Sequence, residues 1–135
     1  MIAIDTSVLV RFLVDDDKPQ ADLAEALIEA NQIFLSRTVI LETEWVLRSV
    51  YRMTSTVLAN LFDQLLGTEN LVIEGAEDVI RANEWYKMGA DFADALHLAA
   101  CGEVRMHTFD QGFCKAAQTA GLAPGVTILS ADGRS

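Results

Sequence analysis

Short, unbroken apolar runs alternate along this chain with longer segments of helical period, and that alternation narrows the folds open to it. The runs are Ile2-Ala3-Ile4, Ile33-Phe34-Leu35, Leu71-Val72-Ile73, residues 106–109 and residues 126–129. Each is continuous rather than alternating, as expected for strands covered on both faces of a parallel sheet. Between them lie helical patterns. Pro19 suits a first turn, and Leu23, Ala24, Leu27 and Ile28 form the apolar stripe behind it. Residues 38–52 read as one helix. Thr54 or Ser55 can cap the next, which carries Val57, Leu58, Leu61, Phe62, Leu65 and Leu66 and stops at Gly67. Residues 77–88 end at Gly89, 92–100 precede Gly102, and 113–120 precede Gly121. This order predicts an α/β sandwich with a mostly parallel sheet.

A chain of 135 residues, 51% of them hydrophobic, can bury a core of its own and is too apolar for disorder. One domain over 1–130 is expected, with a loose tail at 131–135. No apolar run reaches the roughly 18 residues of a membrane span, and the N-terminus lacks a basic region and cleavage site. A cytoplasmic protein is the expectation, with Cys101 and Cys114 as packed free thiols. The formal net charge of −10 argues against holding nucleic acid by bulk electrostatics. It leaves room for a nuclease whose acids are neutralised by metal or by a basic partner.

Four of those acids stand out. Asp5 and Asp110 each end a strand candidate, where a carboxylate can cap the following helix as readily as it can serve a reaction. Asp94 precedes a run that is apolar nearly all round, while Asp91 is spaced as its helix cap. Glu42 is set among Val39-Ile40-Leu41 and Trp45-Val46-Leu47 with no capping role, so a buried, costly carboxylate is expected there. Glu44, on nearly the opposite helix face, is expected to be solvated. In open parallel sheets sites form beyond the carboxyl ends of strands, where Asp5 and Asp110 fall. Taken together, oxygen-only ligands select a hard dication such as Mg²⁺ or Mn²⁺. Such an ion serves phosphodiester chemistry, alone or as one of a pair.

Residues Ile4-Asp5-Thr6-Ser7-Val8-Leu9-Val10-Arg11 resemble the opening motif of PIN-domain ribonucleases, the toxin halves of VapBC-type toxin–antitoxin pairs. The resemblance continues through residues 39–47, is strongest over 89–99, and closes on Thr108-Phe109-Asp110 with Phe113 following. It implies a three-layer α/β/α sandwich around a mostly parallel central sheet. It also implies a Mg²⁺- or Mn²⁺-dependent endoribonuclease that cuts tRNA or ribosomal RNA and blocks translation. By position, Asp5 and Asp94 match the main metal ligands, and Glu42 and Asp110 the other acids of the site. Thr6 and Thr108 match hydroxyls that orient those acids or meet phosphate. Ser7 stands where Asn is common, yet its hydroxyl can still donate to Asp5. The resemblance further implies a homodimer and a VapB-like antitoxin whose basic residue enters among the acids; a guanidinium would compete there with metal.

Two other readings compete. A PIN-like module could bind a basic partner peptide without cutting RNA. A phosphatase of the haloacid dehalogenase kind needs Asp-x-Asp at the first strand, and position 7 is Ser. His97, three residues after Asp94, is expected to be packed or at an interface rather than a ligand, and His107 to be structural. Asp15-Asp16-Asp17 reads as a solvated turn. Arg11, Arg48 and Arg52 read as exposed helix arginines that could contact RNA or antitoxin.

Overall fold

The computed structural model describes residues 1–131. Its backbone divides into two compact units, Met1–Ala76 and the remainder from Glu77 onward, and each is taken on its own terms. The tail expected at 131–135 lies, from residue 132, outside the described residues.

In the first unit the order is β1 (Ile2–Ala3), α1 (Thr6–Leu13), α2 (Lys18–Ala30), β2 (Ile33–Leu35), α3 (Arg37–Ser49), α4 (Ser55–Leu66) and β3 (Leu71–Ile73). The three strands pair in parallel in the order β1-β2-β3, with Ile2 opposite Ile33 and Ile33 opposite Leu71. Parallel neighbours need crossovers, and the helix pairs supply them. Each helix start has its own acceptor. Asp5, Asp17, Ser36 and Thr54 cap α1, α2, α3 and α4 by accepting the backbone N–H three residues on. Leu9, Ile33, Leu35, Ile40, Leu47, Leu58 and Phe62 form the buried centre.

The helix read over 38–52 stops at Ser49, because Arg52 takes a left-handed φ of 58° while the Met53 N–H reaches back to the Leu47 carbonyl. On α2 only Ala24 and Ile28 are buried; Leu23 is 72% exposed, so the stripe covers the core with half its width.

The second unit takes all but the first residue of α5 (Ala76–Lys87), then α6 (Phe92–Ala100), β4 (Met106–Thr108), α7 (Lys115–Thr119) and β5 (Val126–Ile128), with β4 and β5 parallel. Trp85 anchors it, its indole N–H donating to the Leu122 carbonyl at 2.8 Å, and the Tyr86 and Phe92 rings meet edge to face. Helix α7 is shorter than the 113–120 expected, since Cys114 sits left-handed at φ 50° and helical geometry begins only after it. Strand pairing is parallel throughout, as the apolar runs predicted. Among the described residues no helix is long and apolar enough to cross a membrane.

Candidate metal-dependent nuclease site

Asp5 emerges one residue past the buried Ile4, with extended backbone (φ −98°, ψ −176°) that turns the chain into α1. Its Oδ1 accepts two hydrogen bonds, from the Ser7 hydroxyl at 2.6 Å and the Val8 N–H at 3.2 Å. Those donors, Ser7 first, hold the carboxyl below its ordinary range. Asp5 is therefore a helix cap and a fixed, ionised carboxylate at once. Its Oδ2 takes no hydrogen bond from the described residues. Ser7 does what its hydroxyl was expected to do. The neighbouring Thr6 hydroxyl is buried without a hydrogen-bond partner among the described residues.

Glu42 shares a cleft of about 440 Å³ with Asp5, Thr6 and Ser7. Helix periodicity explains the lining. Glu42, Val46 and Val50 follow one face from α3 into its C-cap, and Ser7, Val10 and Arg11 follow one face of α1. This corrects the expected burial of the two α3 acids. Ile40, Thr43, Glu44 and Leu47 point to the core, which leaves Glu42 exposed on the opposite side. Glu44, expected in solvent, is 2% exposed and pairs with Arg48 at 2.8 Å. The apolar residues next to Glu42 in sequence do not enclose it; Trp45 is itself 56% exposed.

The cleft also holds a cluster that no local pattern announced. Arg11 donates from Nε to Gln20 Oε1 at 2.7 Å and from Nη1 to Asp16 and to the Tyr51 hydroxyl, and Tyr51 donates in turn to Asp16 at 3.0 Å. Burial alone would raise the Asp16 carboxyl; the Tyr51 and Arg11 hydrogen bonds outweigh it and hold the acid low. Asp16 is exposed in the bend before α2, as a solvated turn predicts, and it also accepts from Arg11 and Tyr51; Asp17 beside it caps α2. In the sequence Arg11 reads as an exposed helix arginine, and nothing local marks Tyr51. Residues 16 and 51 meet only through the packing of α1 against α2 and α3.

In the second unit Asp91 caps α6 by accepting the Asp94 N–H at 3.1 Å. Asp94 stands in the first turn, half-buried. Burial raises its carboxyl, and the Asp91 and Asp110 charges push the same way. Asp110 follows β4 but caps no helix. Its Oδ1 accepts the Gly112 N–H at 2.8 Å, and its own N–H donates to the Thr108 hydroxyl at 3.0 Å. Thr108 therefore fixes the backbone from which Asp110 projects. Cys114 lies buried within the same field, its thiol pushed up to about 11 by burial and then by Asp94, Asp91 and Asp110. At that value it is an inert thiol at neutral pH. His97 and His107 are both exposed, so His97 is not packed, while His107 lies in β4 with its ring Nδ1 3.3 Å from the Arg105 carbonyl oxygen.

A PIN domain family model matches residues 2–118. This chain belongs to the PIN domain family. The match contains all four acids, both threonines and Ser7. PIN domains are in general Mg²⁺-dependent nucleases, and the α/β order with parallel strands agrees with a PIN-like fold. No curated protein matches the chain.

Carboxylate oxygens are the donors that a hard dication takes. In the first unit Asp5 and Glu42 line one cleft; in the second, taken by itself, the ionised form of Asp94 is opposed by the neighbouring Asp91 and Asp110. A cation would relieve that opposition. Among the described residues no three His, Cys, Asp or Glu side chains form a ready-made ligand group.

Proposed function

We propose that this PIN domain is a Mg²⁺- or Mn²⁺-dependent endoribonuclease and the VapC-type toxin of a toxin–antitoxin pair, acting on tRNA or ribosomal RNA. The observation that carries the reading is the Asp5 carboxylate, clamped through one oxygen by Ser7 and Val8 and lining a cleft shared with Glu42. Asp5 and Asp94 are the proposed principal ligands, and Glu42 and Asp110 the further acids. When bound, such a dication polarises the phosphodiester and lowers the pKa of the attacking water. The chain's own residues then have distinct tasks. Ser7 and Val8 keep Asp5 ionised and aimed, and Thr108 holds the Asp110 backbone.

The net charge of −10 supports a partner that brings positive charge, and a VapB-like antitoxin with a basic segment suits it. A homodimer and a cytoplasmic setting belong to the same proposal.

The test is mapping of RNA ends after exposure to purified protein with Mg²⁺ or Mn²⁺. Asp5→Asn should reduce cleavage to background. Ser7→Ala should lower it roughly tenfold, the scale of losing a side chain that orients a metal ligand, and Ser7→Asn should retain it. Wild-type cleavage by the Asp5→Asn protein would sink the assignment. Tight binding of a basic peptide with no cleavage under either metal would make the chain a binding module instead.

A further inference from the structure

Among the described residues Arg11 is the one basic side chain lining the cleft that contains Asp5 and Glu42. Its guanidinium is fixed from three directions, by Gln20 in the first turns of α2, by Asp16 just before that helix, and by Tyr51 just beyond α3. These contacts use Nε and Nη1. The Nη2 group has no partner among the described residues, so a planar fork is held still with one end free. Its position along α1 is also set: Arg11 lies four residues after Ser7, hence on the same helix face and about 6 Å further along the axis.

We propose that Arg11 binds an RNA phosphate adjacent to the one handled at Asp5, with Asp16, Gln20 and Tyr51 as the residues that position it. The inference rests on the nuclease reading above and assigns the part of the site that meets substrate rather than metal. A chain of net charge −10 repels RNA at long range, so positive charge must be supplied locally where the backbone enters. A guanidinium suits that task, because its rigid fork matches phosphate oxygens. Holding it in advance removes the entropy that a free arginine would lose on binding. The alternative, a purely structural strut, explains the cluster poorly. The Arg11 and Asp16 side chains remain 31% and 44% exposed, and ion pairs so open to water stabilise a fold little.

The experiment measures binding of a fluorescein-labelled RNA hairpin in EDTA over a range of NaCl, together with kcat and KM for its cleavage in Mg²⁺ or Mn²⁺. Arg11→Gln, which keeps an amide for Asp16 but removes the charge, should weaken binding about tenfold. The slope of log K against log salt should fall by about 0.7, one single-strand phosphate contact. KM should rise more than kcat falls. Arg11→Lys should restore the slope but only part of the affinity, since the fork is gone. Tyr51→Phe should weaken binding several-fold with the slope unchanged.

A folded Arg11→Gln protein with wild-type affinity and slope overturns the proposal. If that variant does not fold, Tyr51→Phe decides, and wild-type affinity there overturns it equally. Both failures leave the nuclease reading standing as long as Asp5→Asn abolishes cleavage. A wild-type protein that neither binds the hairpin nor cuts it overturns the nuclease reading, and this proposal with it.

Discussion

Glu42 and Glu44 are two residues apart on α3 and do opposite work. At about 100° per residue, Glu44 joins the buried stripe of Ile40, Thr43 and Leu47, and Glu42 turns to the cleft. A carboxylate that is 2% exposed survives in the core only with donors, and Arg48 supplies Nε at 2.8 Å from one turn further on. The pair is asymmetric, because Arg48 keeps 44% of its side chain in water. Removing the arginine should therefore cost more than its own exposure suggests. Arg48→Met should destabilise the protein by about 1–3 kcal/mol, the penalty for weakening a buried acceptor's pairing. The Glu44→Met/Arg48→Met double variant should recover more than half of that loss, because no buried charge remains. Urea unfolding of the four proteins in a cycle measures this. A double variant no more stable than Arg48→Met alone would show that the arginine acts by packing.

Among the elements, helix α4 shows how much of a fold a short stretch of sequence can determine. Thr54 Oγ1 accepts the Val57 N–H at 3.3 Å, Leu58, Phe62 and Leu65 follow at helical spacing, and Gly67 closes the helix. Thr54→Ala should cost about 1 kcal/mol, the usual value of a lost N-cap, while Thr54→Ser should be nearly neutral. Thermal melts of both variants check it, and equal melting temperatures for Thr54→Ala and wild type would mean that water replaces the cap. Helices whose caps and stripes lie within one segment, α4 and α6, were legible from the sequence for this reason. Helix α7 was not, because its start depends on a left-handed Cys114, a conformation that residue type does not announce. The same division runs through the candidate site. Asp5 with Ser7 is a local motif, readable within three residues. Glu42 is exposed rather than buried, because its apolar sequence neighbours lie on other faces of α3. The cluster of Arg11, Asp16 and Tyr51 spans forty positions of sequence, and only tertiary packing brings it together.

At the scale of the whole molecule, a net charge of −10 means that the protein holds acids it would be more stable without, and Asp94 is one of them. Burial first, and then the charges of Asp91 and Asp110, raise its carboxyl above the ordinary 3.8. An acid raised in the folded state stabilises the fold while protonated. That contribution is complete below the unfolded value and is lost as pH rises through the folded one. Metal-free protein should therefore lose this part of its stability on the way from acid to neutral pH. The proposed dication should restore it in the opposite direction, because only the ionised carboxylate binds metal. At pH 7, Mg²⁺ or Mn²⁺ at ten times its Kd should add about 1.4 kcal/mol of stability. That corresponds to a rise in Tm of roughly 3–6 °C over NaCl of matched ionic strength. Below the Asp94 pKa the difference should vanish. Asp94→Asn should melt higher than wild type without metal and respond less to it. Calorimetry with and without the ion separates these effects from general screening, which NaCl provides equally. If Mg²⁺ and matched NaCl stabilise wild type and Asp94→Asn alike, the acid is not a ligand, and its strain in the folded protein must serve something other than metal.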